Sequence, residues 1–174
     1  MRGLPTRTSW LNKTSLLNKT SRTKRLVPLV LISLVFVPPA AAIAGPAEEA
    51  NAALDAFSAA YSANDVERLV ALYAPDVILL GTNSPVMSEG RDAVRAYFTN
   101  LKLAGSGNKN AIQERKTIVV NDDAVVVTGF YEFTRMQDGK TVSAPARFTA
   151  LLTRQGGQWL LAHQHSSPRP APKN

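Results

Sequence analysis

The only two histidines of this 174-residue chain, His163 and His165, stand two apart in "AHQHSSPRP". Imidazole titrates near neutral pH and is a common metal ligand. Four roles are open to such a pair: metal ligation, acid/base catalysis, lining a ligand cavity, or a satisfied place in the core. A zinc site needs at least three protein ligands. The chain has no cysteine, and the strand register below brings no Asp or Glu to the histidines' face, so no metal is expected. Acid/base work would be proton abstraction next to a carbonyl. It would need an imidazole tuned by burial beside Tyr131 or Tyr97. A non-catalytic cavity needs only a few polar groups in an apolar hollow.

The elements that must position these residues follow from periodicity. Residues 46–62 carry Ala50, Leu54, Phe57 and Tyr61 at helical spacing. Asn64 with Glu67 three later resembles a capping box that opens a short second helix over Val66 to Tyr73, stopped by Pro75. Residues 76–81 read as a short buried strand and 82–90 as a loop. A third helix is expected over 91–102, with Val94, Tyr97, Phe98 and Leu101 on one stripe. Four strands follow at 111–120, 123–136, 142–154 and 158–166. Asn121-Asp122, Asp138-Gly139 and Gly156-Gly157 serve as tight turns. Helices first and an antiparallel meander after define an α+β domain with helices on one sheet face.

Two-residue loops at Asp138-Gly139 and Gly156-Gly157 fix the pairing. Phe148 then opposes Gly129 and Ala150 opposes Val127. Continuing the last hairpin without interruption, His163 opposes Ala150 and His165 opposes Phe148. Alternation places Trp159, Leu161, His163, His165, Phe148 and Tyr131 on the helix side. The ligand-binding set is therefore Tyr97, Tyr131, Phe148, Trp159, His163 and His165, with His163 and His165 as the catalytic candidates. Glu132, Arg147 and Gln164 fall on the opposite face and are the interface candidates. Arg147 lies diagonal to Glu132, within reach of an ion pair. A one-residue slip would reverse every assignment.

The first 44 residues read as targeting rather than fold. They hold seven basic residues and no acidic one, then the apolar run "LVPLVLISLVFV" and the small residues "AAAIAG". That order is a secretory signal, with cleavage expected before Gly45. An uncleaved anchor or a transit peptide are the alternatives, although the run is shorter than the roughly 20 residues of a spanning helix. The leader carries seven of the chain's 20 basic residues and none of its 13 acidic ones, so the mature part is neutral. A nucleic-acid binder needs a clustered basic surface, which this part lacks. No glycine-rich phosphate loop is present and no cofactor is expected. Residues 45–170 form one domain and 171–174 a tail. A periplasmic or secreted location is expected, with no membrane association once the leader is cleaved.

"GQWLLAHQHSSPRP", "DDAVVVTGFYEFTRMQDG" and "RAYFTNL" resemble the association (hub) domain of calcium/calmodulin-dependent protein kinase II. They resemble still more its stand-alone bacterial relatives in the nuclear transport factor 2-like superfamily. "LYAPDVILLGTNSP" and "PARFTALLTRQGGQW" fit the same pattern. The resemblance covers roughly residues 48–170. It implies a cone-shaped fold, a curved sheet wrapped on helices around a pocket, and assembly through the outer sheet face, here as a homodimer. It implies no kinase activity. The hub's pocket arginines align with Glu132, Ala150 and Ser166, so an arginine-based anion pocket is not carried over. The expected function is small-molecule binding, self-association, or both. The alternative is a ketosteroid-isomerase- or polyketide-cyclase-like enzyme that uses a pocket histidine as general acid/base.

Overall fold

The structure is a computed structural model that describes residues 44–102 and 107–172. The expected leader therefore lies outside the described residues, apart from Ala44.

Helix α1 spans Pro46–Ser62 and buries Ala50, Leu54, Phe57 and Ala60. Pro46 sits in its first turn, where a missing N–H costs nothing. Helix α2, Val66–Ala71, is shorter than its periodicity suggests, because Tyr73 already belongs to a strand. Its cap is also one residue later than expected. The Asp65 carboxylate accepts from the Arg68 amide at 3.0 Å. Asn64 instead takes the left-handed conformation (φ 58°), which asparagine tolerates better than most residues. Helix α3 covers Gly90–Phe98 and continues into a 3-10 turn, Thr99–Lys102.

The six strands are β1 (Tyr73–Leu80), β2 (Ser88–Glu89), β3 (Lys109–Asn121), β4 (Ala124–Gln137), β5 (Lys140–Gln155) and β6 (Gln158–Pro168). They form one sheet in the order β2-β1-β6-β5-β4-β3. Strand β1 runs parallel to β6 and the other pairs are antiparallel, so the sheet is mixed. The short β2, inside the stretch read as a loop, adds an edge to β1.

Two of the three expected turns form as read. Asp138-Gly139 and Gly156-Gly157 are two-residue loops with φ positive at both positions, the twist that two-residue hairpins need. The β3–β4 turn is Asp122-Asp123 rather than Asn121-Asp122, since Asn121 pairs with Ala124.

Strand β3 slips by one residue at Gln113, between Ile112 and Glu114. Just beyond it Gly129 of β4 pairs with Arg115, and a Cβ there would collide with the Glu114 carbonyl oxygen. A bulge with a glycine beside it lets a strand bend sharply. Helix α1 lies against β3. Arg115 holds Asp55 at 2.5 Å, the Asn51 amide donates to Thr117 Oγ1 at 3.0 Å, and the Ser58 hydroxyl donates to the Asn110 carbonyl at 3.0 Å. The core fills the space between these helices and the sheet, from Leu54 and Phe57 to Val125, Val127, Leu152 and Leu161.

Candidate functional site

The pairing of β4 with β5 is the one expected: Gly129 faces Phe148 and Val127 faces Ala150. The final hairpin departs from it. Gln155 faces Gln158 and Leu152 faces Leu161, but Leu151 then faces His163. Ala162 is an extra residue on β6, a bulge where β1 joins the sheet as a parallel neighbour. Across the same point β1 runs from Tyr73, opposite Leu161, to Ile78, opposite His163. Between these registers lies Pro75, which has no N–H to give to a ladder.

One extra residue reverses the facing of all that follows it. His163 and His165 therefore lie on the outer face, beside Ile78 and Leu80 of β1 and Leu151 and Thr149 of β5. This corrects the inward orientation expected of both. Gln164, expected outside, is inside and only 2% exposed. Ser166 is inside with it, opposite Phe148.

The helix-side hollow exists without the imidazoles. It is a cavity of about 860 Å³. Tyr131, Gln164, Ser166, Thr82 and Tyr97 make its polar floor, and Phe57, Phe98, Leu79 and Phe133 are among its apolar walls. Tyr97 and Tyr131 are thus where the sequence reading put them. Tyr97 packs against Gly81, where any Cβ would strike its ring. Phe148 stacks behind Tyr131, with centroids 4.7 Å apart and planes at 13°. It supports that ring rather than lining the hollow.

Trp159 stands elsewhere. Its indole N–H donates to Glu49 Oε2 at 2.8 Å. Arg154 binds the same oxygen at 2.6 Å and lies 4.9 Å over the indole ring. The indole hydrogen bond, then the Arg154 charge, hold the Glu49 carboxyl below its ordinary range against the opposing effect of burial. This cluster ties the first turn of α1 to the sheet. It takes no part in the cavity lining.

The polar floor is a directed chain. The buried Tyr73 hydroxyl donates to Gln164 Oε1 at 2.5 Å. The Gln164 amide donates to the Tyr131 oxygen at 3.5 Å. The Thr82 and Ser166 hydroxyls bond each other. Burial pushes the Tyr131 phenol up to about 12, opposed by bonds from Ser166, Gln164 and Thr82. Burial likewise drives the Tyr73 phenol well above its usual value. It raises the Tyr97 phenol too, against hydrogen bonds from the backbone at Asn83 and Thr82. At neutral pH all three are protonated hydroxyls. They can donate hydrogen bonds and cannot act as bases. No carboxylate or imidazole lines the cavity among the described residues.

On the outer face, Arg147 does not reach Glu132 as expected. It donates to Ser167 Oγ at 3.0 Å. Glu132 accepts from Gln113 Nε2 at 2.8 Å and from the Ser143 hydroxyl. A depression of about 350 Å³ runs past Lys116, Thr128, Phe130, Arg147 and His165.

Periodicity alone missed Gln164, Ser166, Thr82 and Tyr73. A signal for one of them was present. The hub resemblance placed Ser166 at the pocket, whereas uninterrupted alternation placed it outside. Only a bulge before it satisfies the resemblance.

A curved mixed sheet wrapped on three helices around a hollow is the nuclear transport factor 2-like fold, and the comparisons agree. The SnoaL-like domain family matches residues 50–172, and the chain belongs to that family. A protein from Xanthomonas campestris, provisionally described as a calcium/calmodulin dependent protein kinase II association domain, is 32% identical. The alignment covers 74% of this chain and 94% of that one, with a TM-score of 0.65. A ketosteroid isomerase-like protein from Erwinia carotovora atroseptica is 20% identical over 74% of this chain and 100% of its own, with a TM-score of 0.64. The kinase hub homology domain of Chlamydomonas reinhardtii is 22% identical over 70% and 97%, with a TM-score of 0.61. No curated protein matches the chain.

Proposed function

We propose that this domain is a receptor for a small, largely apolar molecule bearing a hydrogen-bond acceptor, and that it works as a homodimer. The observation that carries the binding reading is the floor: protonated hydroxyls on Tyr131, Tyr97, Ser166 and Thr82 at the end of an aromatic hollow. A hollow of about 860 Å³ is in the usual range for small-molecule sites. Proton abstraction would need a base. The two imidazoles that might have served lie on the other side of the sheet, so binding is favoured over turnover.

The homodimer rests on the outer face and on the likeness to association domains. Ile78, Leu80 and Ile118 are 41%, 38% and 57% exposed there. Apolar side chains in a row across a sheet are a surface that a second copy can cover. The leader supports a periplasmic or secreted site of action.

The test is a thermal-shift screen of neutral bicyclic ketones and phenols on residues 45–174, with light scattering on the same sample. A ligand that binds only the native state raises Tm. Ser166→Val should weaken the best hit about tenfold, near the 1.4 kcal/mol of one hydrogen bond, with Tm of the free protein little changed. If no compound shifts Tm, or Ser166→Val is indifferent, the binding reading fails. A monomer at tens of micromolar ends the homodimer reading.

A further inference from the structure

Strand β4 crosses the cavity from floor to mouth. Tyr131, Phe133 and Arg135 fall on one face of it by alternation and line the hollow, joined near its outer end by Thr134 and Met136. Four residues at about 3.4 Å each separate the Tyr131 and Arg135 backbones by roughly 13–14 Å. Three zones result along one strand: a hydroxyl at the floor, an aromatic ring midway, a guanidinium at the opening. The facing strand lines the same path with small apolar side chains. Ala144 pairs with Phe133 and Val142 with Arg135, and both line the cavity.

Arg135 is the only ionised side chain among the described lining residues. Its polar contact among the described residues is a neutral one, Nη2 donating to Gln137 Oε1 at 3.3 Å, and none of the salt bridges among those residues includes it. Its charge is felt inside the hollow. The Tyr61 phenol is raised to about 12 by burial first and by Tyr97 next, and Arg135 opposes that rise. Arginine that lines an apolar opening without an acid is suited to a carboxylate, which it can hold with two parallel hydrogen bonds.

Building on the binding reading above, we infer that the cavity selects a rigid, two-ring-sized monoanion: an acceptor oxygen at the Tyr131–Ser166 floor, an apolar body along Phe133, and a carboxylate at Arg135. The two polar groups of the ligand stand at opposite ends. A neutral ligand fills only the inner two zones.

The test uses three probes on residues 45–174 by calorimetric titration: 6-acetyl-2-naphthoate, its neutral relative 2-acetylnaphthalene, and 2-acetyl-6-(aminomethyl)naphthalene as the cation. The naphthoate should bind at least tenfold tighter than the neutral ketone and lose affinity as salt rises. Arg135→Gln should abolish that tenfold while leaving 2-acetylnaphthalene unchanged, and Arg135→Lys should restore part of it. Equal binding of naphthoate and neutral ketone overturns the proposal but leaves the receptor reading intact. So does an advantage that survives Arg135→Gln, or a preference for the cation. Failure of all three probes to bind overturns both.

Discussion

The two sides of the sheet make opposite use of the same three strands. Strands β4, β5 and β6 show the helices a face of Tyr131, Phe148, Gln164 and Ser166. They show the outside a face of Phe130, Arg147, His163 and His165. The inner hollow is the larger, about 860 Å³, and its floor carries only hydroxyls and an amide. The outer depression, about 350 Å³, holds Lys116, Arg147 and His165 near Glu114. The contrast follows from desolvation. An unpaired charge costs several kcal/mol to bury, whereas a hydroxyl with partners costs little. Both imidazoles lie on the outer face. The inner face presents hydroxyls and an amide, and the outer face presents charged side chains.

The strongest way to break this comparison is at the bend both faces share. Gly129→Val should cost at least about 3 kcal/mol, because the new side chain has backbone in its way rather than a movable side chain. Urea unfolding checks this. A loss under about 1 kcal/mol would mean the bend is not fixed at Gly129.

Next in size is the alkaline limit of the inner face. Tyr131 keeps its proton to about pH 12 when folded, against an ordinary 10.0. A raised folded value adds stability that is complete below pH 10 and is lost as pH climbs from 10 to 12. Two units correspond to about 2–3 kcal/mol. Stability measured across that window should fall, and Tyr131→Phe should flatten part of the fall. An unchanged slope in the variant would show that the phenol is not buried.

The smallest effect sharpens the contrast. His163→Ala with His165→Ala should move stability by under about 0.5 kcal/mol and leave the affinity of any cavity ligand within about twofold. The sedimentation of the proposed homodimer should change instead. A tenfold loss in cavity affinity would put the imidazoles back inside.

Much of this was legible in the residues. Helix α1 was read to the residue, since its apolar spacing is regular and Gly45-Pro46 marks its start. The β4–β5 register followed from Asp138-Gly139, because a two-residue turn leaves no freedom of pairing. Tyr131 followed from that register, and Tyr97 from the apolar stripe of the third helix. What failed was the tail of β6. Periodicity is a local signal, but the bulge at Ala162 is set by β1, a strand some 85 residues earlier in the chain. The local residue pattern does not mark it; only the resemblance at Ser166 does. The cap of α2 failed for a humbler reason: Asn64 and Asp65 can both cap a helix, and only the backbone angle at Asn64 decides between them.

Ala162 therefore acts as a frame-setter. Deleting Ala162 would erase the bulge and leave the six residues behind it paired as they are now. Taking Ala162 into an unbroken ladder would instead turn both imidazoles toward the hollow and Gln164 and Ser166 out of it. The identity of the floor thus depends on one residue standing out of the ladder.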